Sequence, residues 1–227
     1  MAQKPSMQIL LRDRSAAGQT LVEPLQRYAR RPDVIVLALP RGGVPVAYEV
    51  ATALEVRLDL MLVRKLGIPS QPEFAMGAIG SGGVQVINKD ILRAHRVAPT
   101  SLDAVIAPEK RELSRREEAY RGDRPTVQLE DQVVILVDDG IATGASMRAA
   151  IQAVRAQGPA RVVVAVPVAS LDMAETLRCE VEEVVCPLTP EWLASVGYWY
   201  TDFSQTSDED VIDLLQRAWQ REAAARR

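Results

Sequence analysis

The residues whose types and spacing could do chemistry are concentrated at 133–146. The apolar run Val133-Val134-Ile135-Leu136-Val137 leads directly into Asp138-Asp139, and Gly140-Ile141-Ala142-Thr143-Gly144-Ala145-Ser146 follows. A continuous apolar run of this length reads as a strand buried on both faces. A strand that ends in two acids delivers both carboxylates to its open end, where they can accept hydrogen bonds from sugar hydroxyls. Gly140 and Gly144 permit tight turning and close backbone approach to an anion. The amides of the loop, and of the helix that starts after it, would point at a phosphate and favour its charge. Thr143 and Ser146 add hydroxyl donors. The implied chemistry is the holding of a phosphorylated sugar. No Lys-Ser or Lys-Thr follows the glycines, and no G-x-G-x-x-G is present, so neither a Walker loop nor a dinucleotide fingerprint is indicated.

Two further segments could meet an anion. In Leu39-Pro40-Arg41-Gly42-Gly43, the glycines would let amides approach it and Arg41 could pair with it. The same residues also suit a plain strand-to-helix turn. Val63-Arg64-Lys65 places two cations at the end of another strand, with a surface basic pair as the alternative. His95, between Arg93 and Arg96, is the only histidine and reads as a surface or packing residue. No serine, histidine and acid triad can be built without it, and no nucleophile elbow is present. Cys179 and Cys186 lack zinc-ligand spacing and read as two buried thiols of a reducing compartment. Trp199, Tyr200 and Phe203 cluster in a chain with only 4 % aromatic residues, so the cluster is unusual here. It forms either a satellite core or a face on which a planar group could stack.

The elements that must position these groups alternate. Strands are expected at 34–39, 58–63, 84–88, 133–137, 161–168 and 184–186. Helices are expected at 44–54, 101–120 and 145–157, after Ser170, and after Ser207-Asp208-Glu209-Asp210. The 101–120 helix carries Glu112 with Arg116 and Glu117 with Arg121 at favourable i,i+4 spacing. Between 64 and 83 the rhythm breaks: two prolines and five glycines fall in twenty residues, which predicts a long functional or mobile connection. Alternating strands and helices imply a three-layer α/β fold with a doubly wound, mostly parallel sheet and ligands beyond the carboxyl ends of its strands. At 227 residues the expectation is one domain, 1–227, with a core at about 34–168. A small hood would come from 187–227 and the N-terminal segment, with 187–205 folding over the open end of the sheet. The net charge of -3 gives no drive towards nucleic acid or acidic lipid. No apolar run is long enough to span a bilayer, and the first residues lack a signal-peptide core, so a cytoplasmic protein is expected.

The 137–146 segment resembles the phosphoribosyl pyrophosphate motif of the type I phosphoribosyltransferases, in which an apolar strand ends in two acids and a Thr-Gly loop holds the ribose 5-phosphate. The resemblance covers about 34–168. It implies that Asp138 and Asp139 bind the ribose hydroxyls, directly or through Mg²⁺, and that Gly140, Ile141, Ala142, Thr143, Gly144, Ala145 and Ser146 cradle the 5-phosphate. Arg41, Gly42 and Gly43 look like the family's pyrophosphate loop. Arg64-Lys65 resembles the Arg-Lys of adenine and orotate phosphoribosyltransferases, with Lys65 facing the pyrophosphate. Trp199, Tyr200 or Phe203 would line the acceptor pocket. The implied reaction transfers a phosphoribosyl group to a nitrogenous acceptor of nucleobase type, in nucleotide salvage, within a homodimer. The 64–83 stretch matches no single activity of the family. A non-catalytic sensor of phosphoribosyl pyrophosphate acting on a protein partner is the second reading. A sugar-phosphate hydrolase is the third, and it lacks an evident nucleophile.

Overall fold

The computed structural model of the chain describes residues 10–69 and 71–225. It begins with two helices, α1 (Arg14–Thr20) and α2 (Val22–Leu25), then β1 (Val34–Ala38), α3 (Gly43–Leu54) and β2 (Arg57–Leu60). Three consecutive strands follow, β3 (Val63–Ile68), β4 (Gln71–Gly80) and β5 (Val84–Ile87), and then α4 (Lys89–Ala94) and α5 (Pro99–Arg121). The chain returns to alternation with β6 (Val133–Val137), α6 (Ala145–Arg155), β7 (Arg161–Ala165), α7 (Leu171–Arg178) and β8 (Glu183–Val185), and ends in α8 (Asp208–Ala225).

Five strands form a parallel sheet in the order β2-β1-β6-β7-β8. The order reverses beside β1, and β6 lies in the centre between β1 and β7. Every residue of β1 and β6 is buried, as their unbroken apolar runs require. Alternation along β1 sends Val34, Val36 and Ala38 into one core with α3, α5 and α8, while Ile35 and Leu37 enter another with α6 and α7. This is the expected three-layer α/β fold. The helix starts follow their caps: Ser170 Oγ accepts from the Met173 amide, and Ser207 and Asp210 exchange side-chain-to-amide hydrogen bonds. Both expected helix pairs on α5 form, Glu112 with Arg116 and Glu117 with Arg121.

The stretch 64–83 differs from the expected long connection. It is mostly strand: β3 and β4 pair antiparallel, β5 adds to β4, and the three make a second sheet. Gly82 and Gly83 turn the chain between β4 and β5 at positive φ, but Gly77 and Gly80 serve packing instead. A Cβ on Gly77 would collide with the Val86 carbonyl, and one on Gly80 would lie 2.8 Å from Ala153 Cβ on α6. The expected strand at 58–63 therefore divides, with β2 in the parallel sheet and β3 turning away from it. The C-terminal helix also differs from expectation. α8 does not belong to a hood but packs in the layer of α3, sending Val211 and Leu215 into that core. The cover over the sheet end comes from the N-terminal segment and 188–200: Leu11 bridges to Tyr200, and these residues pack with Ala17, Val168, Leu188, Leu193, Val196 and Trp199.

A buried ion pair fixes the small sheet to the large one. Arg121, at the end of α5, donates from Nε to Asp59 Oδ1 of β2 at 2.9 Å and from Nη2 to the Leu60 carbonyl at 2.6 Å, and it reaches Ser81 Oγ just after β4 at 3.4 Å. Asp59 is completely buried, so losing its partner would strand a charge. Arg121→Met should therefore cost about 3–5 kcal/mol, the range for breaking a buried pair, measured by urea unfolding. Replacing Asp59 and Arg121 together by apolar residues should cost less than this single change.

Candidate active site

The site forms where β1 and β6 end side by side. Ala38 pairs in register with Val137, and the Leu39 amide donates to the Val137 carbonyl at 2.9 Å. The 40–43 loop thus lies against the two acids. A Cβ on Gly43 would stand 2.7 Å from the Val137 carbonyl, and one on Gly42 would collide with Asp139 Oδ2. Both positions need glycine because of close approach. The Pro40–Arg41 peptide is cis.

Asp138 and Asp139 differ in their surroundings. Asp138 Oδ1 accepts from the Asp139 amide at 2.8 Å. Burial, and then the neighbouring Asp139 charge, push its pKa well above the ordinary carboxylate value. Burial also raises the pKa of Asp139, but Arg14 opposes the rise, with its Nε 2.8 Å from Asp139 Oδ2. The Tyr200 hydroxyl donates to the Asp139 backbone carbonyl at 2.5 Å.

The loop beyond the acids is an amide cradle. Gly140 is packed against Val196, whose Cγ1 would be 2.5 Å from a Cβ at 140. The Ile141 amide is tied to the Val168 carbonyl at 2.9 Å. Among the described residues, the amides of Ala142, Thr143, Gly144, Ala145 and Ser146 have no acceptor within the protein. Gly144 caps α6 in the left-handed region, φ 72°, with no side-chain cap on the helix. Thr143 and Ser146 are exposed there. Five consecutive free amides at a helix N-terminus are the arrangement that accepts an anion.

A cleft runs from this cradle between the 39–40 turn and α5, lined by Pro40, Met61, Arg64, Leu113, Arg116, Asp138 and Ser146. Arg64 is held at the cleft by Glu109 of α5, at 2.5 Å. Met61, Leu62, Val63 and Arg64 all line the cleft, whereas Lys65, the next residue along β3, is exposed and does not. Arg41 extends towards α8, with Nη1 3.6 Å from Asp208 Oδ1. The structure thus brings together Gly42, Gly43, Arg64, Asp138, Asp139 and 140–146, and sets Lys65 apart.

The aromatic residues fall differently from a simple stacking face. Tyr200 is buried in the packed cover, so it presents no open ring. Trp199 packs against the same cluster. Phe203 is partly exposed, but it lies 4.9 Å from the Tyr200 ring and carries the Arg14 guanidinium 4.0 Å from its centroid. Cys179 is exposed rather than buried, and no disulfide joins it to Cys186, whose thiol burial pushes up to about 11. His95 is exposed, as expected. Sequence reading missed Arg14, a lone arginine 125 positions from Asp139 in no motif. It also took Arg116 only as half of a helix pair.

The chain matches the phosphoribosyl transferase domain model over residues 13–200, and it belongs to that family. It is 46 % identical over 209 residues to two Mycobacterium tuberculosis proteins, "Putative phosphoribosyl transferase MT0597" of strain CDC 1551 / Oshkosh and "Putative phosphoribosyl transferase Rv0571c" of strain H37Rv. These matches cover 92 % of this chain and 47 % of each relative, so the chain spans about half the length of the curated relatives it matches. The crystal structure of TT1426 from Thermus thermophilus is similar at 46 % identity and a TM-score of 0.83, covering 92 % of this chain and 98 % of that one.

The raised Asp138 pKa has a stability consequence of definite sign. The folded state holds this proton more tightly than the unfolded chain, whose value is near 3.8. The favourable contribution is therefore complete below that value and is lost as pH rises through the folded pKa. Asp138→Asn removes the ionisation. Without ligand it should melt above the wild type by an amount that grows as pH rises from about 4 through neutrality. Thermal scans across that range test this, and a pH-independent difference would contradict it.

Proposed function

We propose that the chain transfers the phosphoribosyl group of phosphoribosyl pyrophosphate to a nitrogenous acceptor of nucleobase type, releasing pyrophosphate. The observation that carries this reading is the row of unpaired amides at 142–146 directly beyond two acids that keep free carboxylate oxygens. An anion fits the first feature and sugar hydroxyls fit the second, at the spacing set by one loop.

In this reading the 142–146 amides hold the 5-phosphate, and the hydroxyls of Thr143 and Ser146 add donors. Asp138 and Asp139 accept from the ribose hydroxyls and fix the ring. The 40–43 loop and Arg64 face the diphosphate, and Arg64 neutralises charge as it leaves. The bond from the anomeric carbon to the diphosphate oxygen breaks, positive charge develops on that carbon and the ring oxygen, and the acceptor nitrogen supplies the pair for the new bond. Its proton passes to solvent, so no histidine base is required.

The donor set fits Mg²⁺. No group of three or more His, Cys, Asp or Glu residues suited to a metal forms among the described residues. Mg²⁺ keeps waters and substrate oxygens and needs few protein ligands. The free oxygens of Asp138 and Asp139 would be the protein's share, and the ion would supply neutralisation of the leaving diphosphate.

The acceptor is a planar base in this proposal, and of the three aromatic residues Phe203 is the most exposed, Trp199 is partly buried and Tyr200 is buried. The reaction would serve nucleotide salvage. No helix among the described residues is long and apolar enough to cross a membrane.

Two measurements test the proposal. Pyrophosphate release should appear when phosphoribosyl pyrophosphate, Mg²⁺ and one of a panel of bases are supplied together. Binding without turnover across the panel would favour a sensor instead. Asp138→Asn with Asp139→Asn should weaken phosphoribosyl pyrophosphate binding more than tenfold, about 1.4 kcal/mol or more, by calorimetry on folded protein. Arg64→Ala should lower kcat by about tenfold or more while changing the dissociation constant less, as expected for a group meeting the leaving charge late. Lys65→Ala should leave both within about twofold, and a kcat loss equal to that of Arg64→Ala would return Lys65 to the site.

A further inference from the structure

Four carboxylate oxygens meet at the end of β6, and two of them are already engaged. Asp138 Oδ1 is held by the Asp139 amide, and Asp139 Oδ2 by Arg14 Nε, each at 2.8 Å. Among the described residues, no other residue donates to Asp138 Oδ2 or Asp139 Oδ1. One oxygen of each acid is thus committed and one remains, which matches the two hydroxyls of a ribose ring.

Arg14 is itself immobilised. Its Nη1 donates to the Ser204 carbonyl at 2.5 Å, its guanidinium lies over the Phe203 ring, and its side chain is only 12 % exposed. Asp13 caps the first turn of α1 by accepting from the Ala16 amide at 2.7 Å, which fixes where Arg14 begins. The Asp139 oxygen that Arg14 takes is the one packed against Gly42, where a Cβ would collide with it. Arg14 on one side and the 40–43 loop on the other therefore leave that carboxylate no second orientation. With one donor on Asp139, another on a backbone carbonyl and its guanidinium over Phe203, Arg14 is placed to act on the acid.

We propose that Arg14 is a positioning residue of the sugar site: by holding one oxygen of Asp139 it aims the other, together with the free oxygen of Asp138, at the ring hydroxyls of a phosphorylated ribose. This rests on the reading that the site binds such a sugar. Arg14 gives the cover formed by α1 and 196–204 a part in substrate recognition without contact to substrate.

The test compares ribose 5-phosphate with inorganic phosphate, because only the former carries hydroxyls. In calorimetric or NMR titrations, Arg14→Ala should weaken ribose 5-phosphate by about tenfold, the scale of a lost charge-assisted hydrogen bond. It should leave inorganic phosphate at the 142–146 amides within about twofold. Arg14→Lys should recover part of the loss. In an Asp139→Asn background, Arg14→Ala should add little, because its target is already changed. Equal weakening of both ligands would reduce Arg14 to a structural support, and unchanged affinity for both, or a full additive loss in the Asp139→Asn background, would overturn the proposal as well. If the wild type binds neither ribose 5-phosphate nor phosphoribosyl pyrophosphate, the functional reading fails first. If it binds them and Arg14→Ala binds alike, only the positioning role fails.

Discussion

Two adjacent carboxylates at the end of a fully buried strand cannot both be left bare, and much of the surrounding structure answers that constraint. Burial penalises the charge of both, and the Asp139 charge further raises the cost of ionising Asp138. The protein relieves one acid with a guanidinium and the other with an amide. The remaining demand falls on whatever occupies the site, and in the proposed function sugar hydroxyls with a cation would meet it. In that reading the buried charge that weighs against the ligand-free fold would supply affinity for a ligand that satisfies it.

The cover over the sheet end is organised around this point. Tyr200 is buried and gives its hydroxyl to the Asp139 backbone, while Phe203 supports Arg14 from below. Gly42 and Gly43 let the loop after β1 lie against the acids without displacing them. These contacts come from segments far apart in the chain, and the family match from 13 to 200 spans all of them except Phe203.

The other wall of the cleft depends on the β3–β4–β5 sheet and α5. Arg64 reaches the cleft because Glu109 holds it, and α5 is anchored in turn by Arg121 against Asp59. A buried pair of this kind contributes little net stability compared with an apolar replacement, but it is costly to break. Its place at the junction of α5, β2 and the end of β4 makes it a determinant of where the cleft wall stands.

The parallel sheet, its layers and the acid-loop-helix segment at 133–146 were legible in the amino-acid sequence. The reason is that buried parallel strands need unbroken apolar runs, and an anion cradle needs its glycines and helix start in consecutive positions. The 64–83 stretch was not legible, because Gly77 and Gly80 serve close packing against Val86 and α6, and a local reading scores them as breakers. The choice between Arg64 and Lys65 was not legible either, since only the folded position of β3 decides where the cleft lining stops. The aromatic cluster left two readings open, and only packing showed that Tyr200 belongs to the cover. Arg14 lay beyond any sequence argument: its partner is 125 positions away, and a single long-range ion pair leaves no pattern in either segment. Local periodicity and motif spacing are written along the chain, whereas which distant side chain neutralises a buried charge is decided only when the chain has folded.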